Sequence, residues 1–222
     1  MLRNFQIDMV ATSEQLITDL WITATWDEYI KNIEHPACTK AKGYYHNDKY
    51  RIEMTPIGND HSQDHSIINH AVYLYATFKS IPLTGKDNCS FRKFGQREFQ
   101  PDLSLYVGDN ANAIPWGVGV VNIDEYPAPD LVIEVSNTSL SDDLGEKRLM
   151  YEDVGVAEYW VVDVQKARVI AFAVEDGGSK RISESGVLTG LKIEVLTEAL
   201  KRSRTSNHTE VASWLMQQFQ AK

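Results

Sequence analysis

Cysteine is scarce in this chain of 222 residues, which has only Cys38 and Cys89. Each stands alone, without the closely spaced Cys or His partners that form a zinc site, so we expect two free thiols. No apolar run approaches the roughly 18 residues that cross a bilayer, and the start of the chain lacks the basic and apolar regions of a signal peptide. These absences predict a cytoplasmic protein that does not act on a membrane.

Positive charge is also in short supply, because 22 Lys and Arg stand against 31 Asp and Glu, for a formal net charge of −9. This balance argues against a protein that coats DNA regardless of sequence, since such binding depends on cations that neutralise phosphates. It does not exclude a nuclease, because charges are screened beyond about 8 Å at physiological salt and a local basic surface can act alone. The 43% hydrophobic fraction is sufficient for a sizeable core.

The apolar pattern predicts one α/β domain. Helices are expected over residues 12–21, 26–34, 141–154 and 209–219, with a longer helix after residue 58 that ends before Pro82. A hairpin that turns at Asn47 and Asp48 is expected within residues 44–55, with strands over residues 102–107, 131–135 and 159–163 and edge strands over residues 168–174 and 191–195. The order strand, helix, strand over residues 131–163 predicts a βαβ unit.

Glu134 is an unusual residue for the middle of an almost continuously apolar strand. Side chains alternate between the faces of a strand, which groups Glu134 with Asp130 and Val132. A buried carboxylate is costly unless it is paired, hydrogen-bonded or bound to a metal. The alternative is that Glu134 lies near the strand end and meets water or a lysine.

Lys147 falls in the apolar stripe of the helix that follows. At about 100° per residue, it shares that stripe with Leu144, Tyr151 and Val154, while most other charges spread over the opposite side. A lysine that extends past the core to reach water is the alternative. A buried acid and a buried base on consecutive elements make this alternative less attractive.

A third acid, Asp102, follows Pro101 at the start of a strand, where Asp is most often a cap or turn residue. Together with Glu134 and Lys147, however, it forms a set of residues that could act as a catalytic site. Two carboxylates can hold a hard cation such as Mg²⁺. A nearby lysine can stabilise phosphate charge and orient or activate the attacking water.

Four blocks in order carry a resemblance to a known family: Asp102 after Pro101, PDLVIEV over residues 129–135, DLGEKRLMY over residues 143–151 and GVAEYWVVD over residues 155–163. They resemble the bacterial Uma-type family of restriction-endonuclease-like proteins, which is assigned to the PD-(D/E)XK nuclease superfamily. The segment MTPIGNDH over residues 54–61 is similar to the stretch that leads into the family's long helix. The resemblance implies a restriction-endonuclease-like α/β fold with a central mixed β-sheet flanked by helices on both faces.

The resemblance makes Asp102 the motif aspartate of the superfamily and Glu134 the acid of its E-x-K element. This chain departs from that element at Ser136, where the superfamily's lysine ordinarily stands, and Lys147 on the next helix is the matching position. The implied cofactor is Mg²⁺, with Mn²⁺ as a substitute, held by Asp102, Glu134 and the backbone carbonyl of Val135.

Glu53 is a further catalytic candidate, because it shares a strand face with Arg51 and related nucleases often add a Glu from an early element. A solvated strand acid is the alternative. His61 matches a family position at the start of the long helix, where a capping or hydrogen-bonding role competes with catalysis. Four further residues are expected to contact and orient the catalytic side chains: His61, Asp130, Ser136 and Asp143.

Two functions of different classes follow from these residues. One is a Mg²⁺-dependent endonuclease that hydrolyses DNA phosphodiester bonds, and the other is a catalytically inactive binding or regulatory module with the same fold.

A basic cluster before Asp102 is a candidate surface for contact with phosphates, and the alternative is that these side chains are simply solvated. Its members are Lys79, Lys86, Arg92, Lys93 and Arg97. A second small patch comprises Lys201, Arg202 and Arg204.

Cutting both DNA strands with one site per chain would favour a homodimer. The expected organisation is a single restriction-endonuclease-like domain over residues 1–222. It divides into N-terminal helices over residues 1–40, a nuclease core over residues 44–175, and a C-terminal strand and helix over residues 176–222.

Overall fold

The computed structural model describes residues 16–54 and 57–220. Its α-helices are α1 Trp26–Ile33, α2 Asn59–Lys79, α3 Leu140–Leu144, α4 Glu146–Val154, α5 Ile193–Arg202 and α6 His208–Gln220. Its strands are β1 Ile22–Thr23, β2 Lys42–His46, β3 Lys49–Glu53, β4 Leu83–Asp87, β5 Phe91–Lys93, β6 Arg97–Phe99, β7 Leu103–Val107, β8 Val121–Asn122, β9 Leu131–Ser136, β10 Glu158–Asp163, β11 Arg168–Glu175 and β12 Gly178–Ile182. Within these ranges, no helix combines the length and the apolar composition needed to span a membrane.

β9 and β10 form the centre of a six-stranded sheet with the order β12-β11-β10-β9-β7-β4, which we call the main sheet. These two strands pair in parallel, whereas the other neighbours pair antiparallel. α3 and α4 connect the parallel pair, so the predicted βαβ unit is confirmed. Every residue of β9 and β10 is buried, as expected for strands covered on both faces.

Helices cover both faces of the main sheet. α2, α5 and α6 pack against one face through residues such as Ile68, Leu196 and Leu215. α4 packs against the opposite face through Met150 and Tyr151. The predicted α/β architecture, with a mixed sheet flanked by helices, is therefore confirmed.

A second six-stranded sheet, with the order β1-β3-β2-β6-β5-β8, was not expected from the sequence. Tyr44 of β2, Phe91 of β5 and Phe99 of β6 belong to the same apolar cluster as Val132 of β9. Because Val132 and Glu134 share a strand face, the second sheet closes over the side of the main sheet that carries Glu134. Two sheets therefore meet at the candidate acid.

β2 and β3 form the predicted hairpin of the second sheet. Asn47 and Asp48 make its two-residue loop and adopt left-handed φ angles of 48° and 54°, as a type I′ turn requires. The loop fixes an antiparallel register in which Lys42 pairs with Glu53. Paired residues point to the same face of a sheet, so these two side chains lie together.

The predicted helix over residues 141–154 is interrupted at Gly145, where the backbone angles are φ −107° and ψ −109°. A β-carbon at this position would lie 2.8 Å from the carbonyl oxygen of Ser141, so the close approach of the chain requires glycine. The break places Lys147 in the first turn of α4. The predicted end of this helix is confirmed at Gly155, which caps it with a φ of 78°.

The prediction of a strand over residues 191–195 is wrong, because α5 begins at Ile193. The buried residues Ile193, Leu196 and Leu200 follow helical spacing. The alternation of apolar residues that suggested a strand covers too short a segment to distinguish the two elements.

Two further predictions need correction. Residues 168–174 lie in β11, which is not an edge strand because β12 pairs with its outer side. The helix predicted over residues 12–21 is absent from residues 16–21, and residues 12–15 lie outside the described ranges. In the described part, Trp26 starts the first helix, where Thr25 and Glu28 form a capping box.

Arg204, from the small basic patch, forms a bidentate ion pair with Asp64 of α2. Its Nη1 lies 2.5 Å from Oδ1 and its Nη2 lies 2.6 Å from Oδ2. The Asp64 side chain is 0% exposed, so Arg204→Met should lower the free energy of unfolding by about 3 kcal/mol, because it leaves a buried charge unpaired. Arg202→Met is the matched control, since both partners of its pair with Glu198 are more than 40% exposed, and it should cost less than about 1 kcal/mol. Urea denaturation measures both, and equal losses would contradict the prediction.

Candidate active site

One face of the β2–β3 hairpin delivers polar side chains to the junction between the sheets. Lys42 pairs with Glu53 and Tyr44 pairs with Arg51, so all four residues share that face. Lys42, Arg51 and Glu53 line a cavity of about 250 Å³. The same cavity is lined by the three residues singled out by the sequence, Asp102, Glu134 and Lys147.

Asp102 is a buried acid immediately before β7, with partners on both carboxylate oxygens. Its Oδ2 accepts a hydrogen bond from the backbone N–H of Val135 at 2.8 Å and lies 3.1 Å from His61 Nε2. Its Oδ1 contacts the Nζ atom of Lys42. Burial opposes ionisation, but the hydrogen bond from His61 and the charge of Lys42 hold the pKa of Asp102 well below its usual range.

Glu134 lies almost fully buried on β9, next to two tyrosine hydroxyls. The Tyr151 hydroxyl donates to its Oε1 at 2.8 Å, and the Tyr44 hydroxyl lies 3.5 Å from the same atom. The backbone N–H of Asp102 makes a long hydrogen bond of 3.4 Å to its Oε2. Burial and the nearby charge of Asp102 outweigh the attraction of Lys147 and raise the pKa of Glu134 to about 8.

Lys147 is held inside the protein by three carboxylates. Its Nζ atom lies 3.0 Å from Glu53 Oε1, 3.1 Å from Asp143 Oδ1 and 3.8 Å from Glu134 Oε1, and 4.2 Å from the centre of the Tyr44 ring. Burial favours the neutral amine, but these charges, with Asp143 the largest contributor, raise the pKa of Lys147 well above its ordinary value. Its side chain is 3% exposed, so the ammonium does not extend to water.

Glu53 belongs to this cluster and is not a solvated strand acid. Its Oε1 accepts from Arg51 Nε at 2.9 Å as well as contacting Lys147, and its side chain is only 19% exposed. Burial would raise its pKa, but the charges of Lys147 and Arg51 hold the pKa of Glu53 below its ordinary value. Glu53 therefore lies beside Lys147 and is the carboxylate that the hairpin contributes to this cluster.

Asp143 and Ser136 support this cluster at different distances. Asp143 contacts Lys147 directly and accepts a hydrogen bond from Ser139 Oγ at 2.6 Å. Ser136 Oγ lies 3.5 Å from Ser139 Oγ, so it reaches Asp143 only through that second hydroxyl. His61 contacts Asp102, as described above, and therefore holds a carboxylate at the cavity wall.

Asp130 is the predicted supporting residue that the structure places elsewhere. Its carboxylate accepts from the backbone N–H of Val107 at 2.7 Å and from Asn110 Nδ2 at 2.8 Å. Asp130 and Glu134 share a strand face, but four residues of extended chain separate their α-carbons by about 13 Å. Asp130 thus stabilises the end of the main sheet that lies away from the cavity, by accepting hydrogen bonds from Val107 and Asn110.

Lys42 and Tyr44 are the site residues that sequence reasoning did not single out. The signal that identifies Lys42 is the hairpin register, since the two-residue loop at Asn47 and Asp48 aligns Lys42 with Glu53. Tyr44 is recognisable only from the structure, because a buried tyrosine in a strand is ordinarily a core residue.

The cavity has the chemistry of a site for a hard cation. Its described lining has five acids, four Lys or Arg side chains and one histidine: Asp19, Glu53, Asp102, Glu134 and Asp143; Lys40, Lys42, Arg51 and Lys147; and His61. Across the described residues, no group of three His, Cys, Asp or Glu side chains is arranged as a metal site. A pair of carboxylates with a backbone carbonyl still fits Mg²⁺, which keeps several waters and needs only one or two protein carboxylates.

Three of the five residues in the basic cluster before Asp102 have partners within the protein. Arg92 pairs with Glu98 at 2.6 Å, and Lys93 lies 3.6 Å from an oxygen of Asp124. Arg97 donates to the backbone carbonyl of Asp153 at 2.9 Å. These contacts hold Arg92, Lys93 and Arg97 against the protein itself.

The raised pKa of Glu134 makes a prediction for the metal-free protein. The folded value of about 8 lies above the ordinary 4.5, so the stability contributed by the protonated acid is complete below pH 4.5 and is lost as the pH rises through 8. Glu134→Gln removes this dependence, and the variant should gain stability relative to the parent between pH 5 and pH 8. Urea denaturation in EDTA measures the difference, and parallel pH profiles would contradict the prediction.

Comparison with known proteins places Glu53, Asp102, Glu134 and Lys147 within one family match. The family model Uma2, described as "Putative restriction endonuclease", matches residues 26–204, whereas no curated protein matches the chain. A crystal structure of "a putative nuclease belonging to DUF820" from Anabaena variabilis ATCC 29413 is similar in fold, with 18% identity and a TM-score of 0.53 over 86% of this chain and 98% of that chain. Because the family match covers most of the sequence, the chain belongs to the Uma2 family of restriction-endonuclease-like proteins.

Proposed function

We propose that this protein is a Mg²⁺-dependent endonuclease that hydrolyses phosphodiester bonds in DNA. The observation that carries the proposal is the convergence of Asp102, Glu134 and Lys147 on one cavity between the two sheets. Family membership supports the nuclease class, and the pair of carboxyl groups beside the backbone carbonyl of Val135 supports a divalent cation. Mn²⁺ is expected to substitute for Mg²⁺.

Asp102, Glu134 and the backbone carbonyl of Val135 are the groups that would hold the metal. When bound, the metal would polarise a phosphate oxygen and favour ionisation of the attacking water. The chain itself keeps both carboxylates in place: the Val135 amide and His61 orient Asp102, and the Tyr151 hydroxyl orients Glu134. This fixed geometry limits the reorganisation that substrate binding requires.

Lys147 supplies the positive charge for the reaction. Hydrolysis adds negative charge to the phosphate oxygens in the transition state, and a preorganised ammonium in a water-poor site stabilises that charge. Glu53 and Asp143 hold the ammonium at one point of the cavity wall and keep it protonated. Glu53 also has the position and the charge to assist a second cation.

One observation favours the inactive binding module as a second candidate. Asp102, the expected metal ligand, already has Lys42 and His61 as partners. A module without catalysis would keep these pairs permanently and would have no use for a divalent cation.

Incubation with supercoiled DNA, linear duplex DNA and RNA distinguishes the two candidates. We expect cleavage of DNA with Mg²⁺ or Mn²⁺, no cleavage in EDTA, and none by Asp102→Asn. Asp109→Asn is the matched control, because Asp109 is an exposed acid just after β7, and this variant should cleave like the parent. No cleavage by the parent with either metal would favour the binding module.

Two aspects of the proposal concern the whole protein. A homodimer would present one site to each DNA strand, and two-fold dimers are the commonest assemblies. Within each chain, residues 44–175 contain Glu53, Asp102, Glu134 and Lys147, which supports treating this segment as the nuclease core.

A further inference from the structure

The ion pair between Lys42 and Asp102 occupies the carboxylate that the proposed function assigns to a metal. Lys42 Nζ contacts Asp102 Oδ1, and the two side chains are 16% and 6% exposed. The other oxygen of Asp102 is engaged by the backbone N–H of Val135 and by His61. The oxygen that would face an incoming cation is thus the one that holds the ammonium.

A lysine ammonium and a divalent cation repel each other at contact distance. A metal on Asp102 Oδ1 would therefore displace Lys42 Nζ. The cavity lies beside this pair and is lined by Lys42 itself, so the flexible four-carbon stem has space into which it can move the ammonium.

The two lysines of the cavity differ in how firmly they are held. Lys147 Nζ has three carboxylates within 3.8 Å and the Tyr44 ring at 4.2 Å. Lys42 has one carboxylate partner within the described residues and a more exposed side chain. Lys147 is consequently a fixed charge, whereas Lys42 is suited to exchange partners.

We propose that Lys42 is an exchangeable cation of the active site. Before metal binding, its ammonium neutralises Asp102 and sets the metal affinity of the site. When a divalent cation takes that carboxylate, the ammonium turns into the cavity and contacts a non-bridging oxygen of the substrate phosphate. This inference rests on the proposed function and adds a phosphate-binding residue to it.

Calorimetric titration with Mn²⁺ tests the first step. Lys42→Met removes the internal competitor and should bind Mn²⁺ about tenfold more tightly than the parent, and Lys42→Gln should do the same. Saturating Mn²⁺ should also raise the melting temperature of Lys42→Met more than that of the parent, because the metal replaces the lost counter-ion. Lys49→Met is the matched control: it breaks an ion pair with Glu146 on the same hairpin face but outside the cavity, and should leave the affinity unchanged.

Single-turnover cleavage of DNA at saturating Mn²⁺ tests the second step. Lys42→Met should cleave at least about tenfold more slowly than the parent, since it lacks a charge that contacts the phosphate, and Lys49→Met should cleave at the parent's rate. Tighter metal binding together with slower cleavage is a combination that a loss of folded protein does not produce.

The outcomes separate the inference from the proposed function. Equal or weaker Mn²⁺ binding by both Lys42 variants would overturn the exchange, and tighter binding with unchanged cleavage would overturn the phosphate contact. In either case the proposed function stands if the parent binds metal and cleaves DNA. Failure of the parent and all variants to bind Mn²⁺ would overturn the proposed function and the inference with it.

Discussion

Replacement of Glu134 with Gln should abolish Mn²⁺ binding and lower DNA cleavage by at least about a thousandfold. The substitution removes the negative charge of a ligand but keeps its volume and an oxygen that can accept from the Tyr151 hydroxyl. The variant should therefore fold. Calorimetry measures the metal affinity, and single-turnover cleavage with saturating Mn²⁺ measures the rate.

Glu146→Gln is the control for this experiment. Glu146 begins α4 and pairs with Lys49 on the outside of the molecule, so the variant should bind metal and cleave like the parent. A Glu134→Gln protein that binds Mn²⁺ and cleaves at the parent's rate would reduce Glu134 to a structural acid.

Replacement of Lys147 with Met should affect both activity and stability. Cleavage should fall by at least about a hundredfold, because the lost charge acts on the transition state. The free energy of unfolding should also fall by about 3–5 kcal/mol, since the substitution leaves the carboxylates of Glu53 and Asp143 without their common cation. Urea denaturation and single-turnover cleavage measure the two effects separately.

A second substitution separates the two roles of Lys147. Asp143→Asn in the Lys147→Met background removes one of the stranded charges and should recover part of the lost stability without recovering cleavage. The loss of stability in the Lys147→Met variant should also shrink as the pH falls toward about 4, because Glu53, which has lost its cation, then takes up a proton. If the Lys147→Met protein is as stable as its parent and cleaves DNA at the same rate, Lys147 has neither the catalytic nor the structural role.

The periodicity of the sequence predicted the placement of the two central residues. Alternation along β9 put Glu134 on one strand face, and the helical stripe put Lys147 on the buried side of the next helix, where the structure also has them. These predictions succeeded because both depend on local geometry. The interruption at Gly145 did not move Lys147 out of the stripe, because α4 resumes one residue later.

Relations between distant segments were less accessible from the sequence. The contact between Lys42 and Asp102 joins residues 60 positions apart, and no local pattern specifies it. For Asp130, the sequence predicted the strand face that it shares with Glu134 but not its distance from the cavity. That distance depends on how β9 pairs with the neighbouring strands. The second sheet was missed for the same reason, since its strands are short and pair across long stretches of chain.

The division of the site between two sheets determines when it can form during folding. The βαβ unit assembles from neighbouring segments, but the hydroxyl of Tyr44 reaches Glu134 across 90 positions of the sequence. Closure of such long loops is slow relative to local pairing. A fragment containing only the βαβ unit would therefore keep Glu134 and Lys147 but lack Asp102 and the β2–β3 hairpin. The charge cluster should appear only in the last step of folding, when the two sheets dock.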